Sequence, residues 1–177
     1  SYQTSPLSAA VEILWLNGIV VVTSAGNNGT ATLYPPANDP YVITVGAVDD
    51  RGTTALSDDV IPAFSAYGST SDGYAKPDLV APGRNIVSIY ANNSQFGTLR
   101  PGNRVGQSYF RMTGTSAAAP MVTAAVALLL QDEPTLTPNQ VKYRLTATAN
   151  KNWPGYNASK AGAGYLDIYA AVKGTTT

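Results

Sequence analysis

Apolar residues in this chain follow two rhythms: short unbroken runs rich in β-branched side chains, and longer stretches in which they recur every three or four positions. Ser5-Pro6 reads as a helix start, a capping hydroxyl followed by a proline that is tolerated in the first turn. Leu7, Val11 and Leu14 then recur on one face until Gly18 stops the pattern. This predicts a surface helix packed on a sheet. Residues 19–22, bounded by Gly18 and Gly26, predict a strand buried on both faces, and residues 41–48 repeat the pattern. Shorter strands are expected at 79–81, 86–90 and 105–112, the last as half of a hairpin. Pro82-Gly83 and a loop over residues 92–102 separate them.

From Ser116 the pattern turns helical, first to about Gln131, then from Pro138, capped by Thr137, to about Ala149. Residues 166–172 predict a last short helix closed by Gly174. Helix before strand, repeated, with a helical end, predicts a three-layer α/β fold built on a mainly parallel sheet. Residues 175–177, all threonine, read as a tail, which leaves residues 1–174 as one folded unit.

Composition narrows the function. With 177 residues and 44% hydrophobic content the chain can bury a sizeable core. Zero net charge and only 12% charged residues give no electrostatic reason to expect nucleic acid or a membrane surface as partner. The longest apolar stretch, residues 117–130, is short of the roughly 20 residues of a membrane span and reads as a core helix. Without cysteine there is no disulfide and no thiolate nucleophile. Three Asn-X-Ser/Thr sequons, at 28–30, 92–94 and 157–159, carry little weight in a chain this rich in Asn, Ser and Thr. The first residues lack a signal-peptide pattern and an initiator Met, which raises the expectation that a segment has been removed upstream.

The chemistry concentrates at Thr113-Gly114-Thr115-Ser116-Ala117-Ala118-Ala119-Pro120. Gly114 permits a sharp turn out of the preceding strand, so Ser116 is presented in the first turn of an apolar helix, whose unpaired N–H groups favour a developing oxyanion. The alanines leave room for a substrate, and Pro120 is tolerable there if it lies within the first turn. Ser116 is either a nucleophile or an ordinary N-cap. The chain contains no histidine, so it cannot itself supply an imidazole base. A second feature is the apolar run that enters the polar turn Ser24-Ala25-Gly26-Asn27-Asn28-Gly29, where the Asn27 amide either donates to an oxyanion or simply forms the turn.

Taken in order, these blocks resemble the subtilisin-like serine peptidases, the subtilase family. The resemblance is carried by Ser24-Ala25-Gly26-Asn27-Asn28-Gly29, by residues 41–49 with Lys76-Pro77-Asp78-Leu79-Val80-Ala81-Pro82-Gly83, and by Gly114-Thr115-Ser116-Ala117-Ala118-Ala119-Pro120. It spans about residues 8–172 and matches the C-terminal portion of that catalytic domain, so residues 1–174 are expected to form an incomplete subtilisin-like unit. It implies that Ser116 attacks the scissile carbonyl of a peptide, that Asn27 and the Ser116 N–H hold the oxyanion, and that Thr115 supports them. Ser24, Ala25, Gly26, Leu33 and Gly114 would border the substrate, with Tyr34 beside Leu33, although loop packing explains Leu33 and Tyr34 equally well.

The family's aspartate and histidine lie upstream of this region. The resemblance therefore implies an N-terminal partner chain of the same protease, separated by a nick that is self-inflicted or made by another protease. Met121 stands where many relatives carry a non-catalytic histidine. No cofactor is required. A structural calcium or monovalent cation is implied for some relatives at positions matching Ala37, Asp39, Val42 and Asp78, whereas Asp49, Asp50, Asp58 and Asp59 read as a solvated acidic loop. Export from the cell follows from the same resemblance. The alternative is a non-catalytic fragment, stable or partner-binding, left by degradation of a protease.

Overall fold

The computed structural model describes residues 1–91 and 94–174. The two asparagines of the 92–94 sequon and the expected tail at 175–177 lie outside the described residues. Helix α1 (Pro6–Leu16) begins as its sequence predicts, with Ser5 Oγ accepting from the Ser8 N–H and Pro6 in the first turn. Its inward stripe differs from the expected one. Ser8 and Trp15 are buried, while Leu7 and Leu14 are 58% and 42% exposed. The indole of Trp15 offers more apolar area than either leucine, and its Nε1–H donates to Asn139 Oδ1 at 2.8 Å, so it sets the rotation of the helix.

Strand β1 (Val22–Ser24) runs parallel to β2 (Ile43–Val48), with Val22 opposite Ile43. A small antiparallel ribbon follows, β3 (Gly68–Ser69) with β4 (Ala75–Lys76), and then β5 (Leu79–Pro82) joins the far side of β2 in parallel. The order β1-β2-β5 puts β2 in the centre, and every β2 residue is buried. The first strand is only half-buried, contrary to the both-faces reading of residues 19–22, because its outer edge has no strand against it among the described residues.

Beyond the sheet, β6 (Ile86–Ile89) and β7 (Arg104–Val105) flank β8 (Tyr109–Met112) in an antiparallel ribbon. Residues 105–112 thus contain the end of one strand, a turn and another strand. The expected loop over 92–102 holds helix α2 (Gln95–Leu99), whose Phe96 ring packs on Phe110 at 6.4 Å.

Helix α3 (Thr115–Asp132) crosses the parallel sheet, burying Thr115, Ala118, Val122, Ala125, Val126 and Leu129. Alternation within the strands defines two layers. Ile43, Val45, Ala47, Leu79 and Ala81 face α3 and the buried side of α4 (Pro138–Ala147). Val48 and Val80 face the other way, against Trp153, Tyr165 and Ala161 of the short helix α5 (Ala158–Ala161). A full capping box, Thr137 with Gln140, starts α4, and α6 (Ile168–Lys173) closes the α3 side through Ala171. By length and composition α3 could cross a membrane, but its buried stripe is the centre of this core.

Candidate active site

Strand β8 leads through Thr113 into Gly114, and the chain there takes a backbone conformation, φ +154°, that side-chain-bearing residues rarely adopt. Two hydrogen bonds hold the turn to the end of the neighbouring strand: Gly114 N–H donates to Gly83 O at 2.8 Å, and Asn85 N–H to Thr113 Oγ1 at 3.0 Å. The helix then begins at Thr115, which is fully buried, and its next residue, Ser116, is exposed.

Thr115 ties this helix to the end of β1. Its N–H and its hydroxyl both donate to Asn27 Oδ1, at 2.8 and 3.1 Å, and its hydroxyl oxygen accepts from the Gly26 N–H at 3.1 Å. Because a backbone N–H can only donate, the Asn27 oxygen must face Thr115. The amide nitrogen therefore points away and has no acceptor among the described residues. Thr115 N–H goes to Asn27 and Ala117 N–H to Gly114 O, which leaves the Ser116 N–H without a partner among the described residues. An exposed hydroxyl, a free backbone N–H and a fixed carboxamide donor are thus held together by one buried threonine.

Ser116 lies in a hollow of about 390 Å³ walled by Ile86, Val87, Ile89, Met112, Pro120 and Met121. Pro120 is the sixth residue of α3, outside the first turn, so the Ser116 carbonyl loses its usual helical donor. Of the expected substrate-bordering residues, Gly26 and Gly114 adjoin Asn27, and Ala25 continues β1 by donating its N–H to Val45 O. Ser24 ends that strand. Leu33 is instead packed into a small cluster with Ala25, Ala37 and Ala66, whereas Tyr34 is 66% exposed.

The four positions implied for a cation do not assemble into one ligand set. Lys76 Nζ donates to Asp78 Oδ2 at 2.8 Å and to Val42 O at 3.1 Å, and Lys142 Nζ reaches Asp78 Oδ1 and Val42 O, each at 3.0 Å. Ala37 O accepts from the Thr44 hydroxyl, and Asp39 Oδ1 from the Tyr41 N–H. Two ammonium groups thus sit where Val42 and Asp78 would hold a metal ion, so this donor set does not fit one. Burial lowers the Lys76 pKa to about 8, against the opposing pull of Asp78. Neither lysine was marked by its sequence as part of this network; Lys142 and Asp78 are brought together only by the fold.

The acidic loop is also not wholly solvated. Asp49 and Asp59 are each only 3% exposed. Asp49 is held by Arg84 at 3.1 Å and Arg51 at 3.6 Å, while burial and the neighbouring Asp58, Asp50 and Asp49 push the Asp59 carboxyl upward.

The chain is thus a parallel-sheet α/β unit that sets a serine at the mouth of its central helix and an asparagine at the end of the adjacent strand. The model described as "Subtilase family" matches residues 2–165, and the chain belongs to that family. Serine protease AprX of Bacillus subtilis (strain 168) is 42% identical over 174 residues, which are 97% of this chain and 39% of AprX. Subtilisin DY of Bacillus licheniformis is 33% identical over 96% of this chain and 53% of its own length. Among solved structures, fervidolysin from Fervidobacterium pennivorans, a keratinolytic enzyme related to subtilisin, superposes with a TM-score of 0.72 at 33% identity, covering 95% of this chain and 24% of that one. The prenylagaramide maturation protease PagA also gives 0.72, at 29% identity, covering 94% and 54%. The chain spans about two fifths to one half of the two curated relatives named here.

Proposed function

We propose that this chain is the nucleophile-bearing part of a serine endopeptidase. Ser116 Oγ attacks the carbonyl carbon of an extended peptide, and its proton passes to an imidazole. The negative oxygen that forms is held by Asn27 Nδ2–H and the Ser116 N–H. Collapse expels the amine, which takes the proton from the imidazolium, and water then hydrolyses the acyl ester on Ser116. Thr115 acts as a positioning residue. The observation that carries this reading is the pair of bonds from Thr115 to Asn27 Oδ1, which turn the amide donor outward beside an exposed serine.

None of the 177 residues is a histidine, so the base and its aspartate come from another segment of the same protease, N-terminal by the resemblance. The open outer edge of β1 supports this. Among the described residues no strand pairs with it, the chain leading into β1 exposes Leu14, Leu16 and Ile19, and an unpaired parallel-sheet edge is a surface that normally takes another strand. Peptides or proteins are the substrates, and export from the cell belongs to the same reading.

The test is covalent labelling. An organophosphorus probe should modify Ser116 in the protease that includes the histidine-bearing segment, and hardly at all in the isolated chain. Equal labelling of both would remove the need for a base in trans, and labelling of neither would leave a non-catalytic fragment.

A further inference from the structure

Three successive carbonyls at the bend before β2 and the Asp78 carboxylate converge on one nitrogen. Lys142 Nζ lies 2.8 Å from Pro40 O, 3.3 Å from Tyr41 O, 3.0 Å from Val42 O and 3.0 Å from Asp78 Oδ1. Among the described residues no backbone N–H donates to any of these carbonyls, so lysine ammonium groups are their donors. The buried Lys76 Nζ closes the other side through Val42 O and Asp78 Oδ2. Asp78 Oδ2 also accepts from the Thr44 N–H at 2.7 Å, which fixes the carboxylate at the entry to β5.

An ammonium group has three protons, yet Lys142 Nζ has these four oxygens within 3.3 Å. It is held by its charge as much as by directed bonds. A shell of carbonyl and carboxylate oxygens around a compact positive charge is the surrounding that a hard metal ion takes. The elements that meet there are α4, the bend entering β2 and the residue before β5.

We propose that Lys142, backed by Lys76, is a built-in substitute for a structural cation, whose ammonium fastens α4 to the entries of β2 and β5 without an ion taken from the medium. The resemblance implies a bound ion at Val42 and Asp78 in some relatives, and here the positive charge belongs to the chain. This role concerns folding stability and is independent of the Ser116 chemistry.

Chemical rescue tests it. Lys142→Ala removes the ammonium and opens room for an ion, at a helical position that alanine suits. Potassium and ammonium ions restore the single charge that is lost, whereas calcium would add one more beside Lys76. Thermal unfolding of the intact protein near neutral pH compares potassium chloride and ammonium chloride with tetramethylammonium chloride, whose cation is too large for the shell, at equal ionic strength. In tetramethylammonium chloride the variant should melt roughly 3–10 °C below wild type. Potassium or ammonium should recover about half of that loss or more, over and above any response of the wild type. Lys142→Gln, which keeps a neutral donor in the shell, should show the loss without the recovery. A Lys142→Ala protein as stable as wild type would overturn the proposal. So would a loss that neither ion reduces beyond the wild-type response, because Lys142 would then act through the packing of its stem. Lys142→Gln melting with wild type would overturn it as well, since a neutral donor would serve equally.

Discussion

Thr115 and Asn27, 88 residues apart in sequence, are joined by two hydrogen bonds to a single oxygen, from N–H at 2.8 Å and from Oγ1–H at 3.1 Å. The hydroxyl also accepts from the Gly26 N–H, so one buried side chain locks both residues of the turn. Removing only that hydroxyl tests the relationship. Thr115→Val keeps the shape and the backbone bond but leaves the Gly26 N–H without its acceptor, which should cost about 1–3 kcal/mol of stability. With the amide held by one bond instead of two, kcat should fall by roughly tenfold while KM stays close to normal, the pattern of a weakened transition-state contact. Thr115→Ser should restore both. A fall confined to KM would assign Thr115 to substrate binding instead.

Asn27 itself is predicted to act only in the transition state. Asn27→Ala should lower kcat by about 10²–10³ with little change in KM, a magnitude borrowed from the same kind of donor in subtilisin, a member of this family. Steady-state kinetics on the protease with its histidine-bearing segment present make the measurement. An unchanged kcat would take Asn27 out of the oxyanion site.

Much of this arrangement is legible in the residues themselves. The β2 run and the α3 stripe declare their burial by composition, and the Gly114-Thr115-Ser116 and Gly26-Asn27 turns are marked by glycine and a short polar group. What is not legible depends on partners distant in the chain. Trp15 outweighs Leu7 and Leu14 by its apolar area and by the distant Asn139 oxygen that meets its indole, and the choice between loop packing and a pocket wall for Leu33 turns on its cluster with Ala25, Ala37 and Ala66. Asp59 looks solvated among other acids until the chain folds over it. The half-burial of β1 reflects its place at the edge, which no local pattern records.

Gly83 is a packing requirement that its loop-like Pro-Gly setting conceals. A Cβ there would stand 2.7 Å from Ala47 Cβ and 2.9 Å from the carbonyl of Gly114, the residue that turns the chain toward Ser116. Gly83→Ala should therefore destabilise the protein by about 1–3 kcal/mol through overpacking, and should reduce activity as well by displacing the turn. Gly102, with open space around its Cα, supplies the comparison: Gly102→Ala should change stability by less than about 0.5 kcal/mol. Urea unfolding of the two variants makes the measurement, and equal midpoints would show that the β5 end gives way without cost.

Lys76 makes stability depend on alkaline pH in a direction opposite to a simple surface lysine pair. Its folded pKa, about 8, lies below the ordinary value of 10.5, so between these limits the unfolded chain holds a proton that the folded protein has released. Unfolding then takes up protons, and the contribution of this group to stability must rise with pH across the window 8 to 10.5. The full rise is of order 3 kcal/mol, since each pKa unit corresponds to about 1.4 kcal/mol. Lys76→Met removes the titrating group and leaves Asp78 held by Lys142 at 3.0 Å and by the Thr44 N–H at 2.7 Å, so the variant should fold and lose that rise. Chemical denaturation at several pH values between about 7 and 10.5 compares the two slopes. If wild type and Lys76→Met run parallel, burial does not depress this lysine and the ammonium is more freely solvated than its 3% exposure implies.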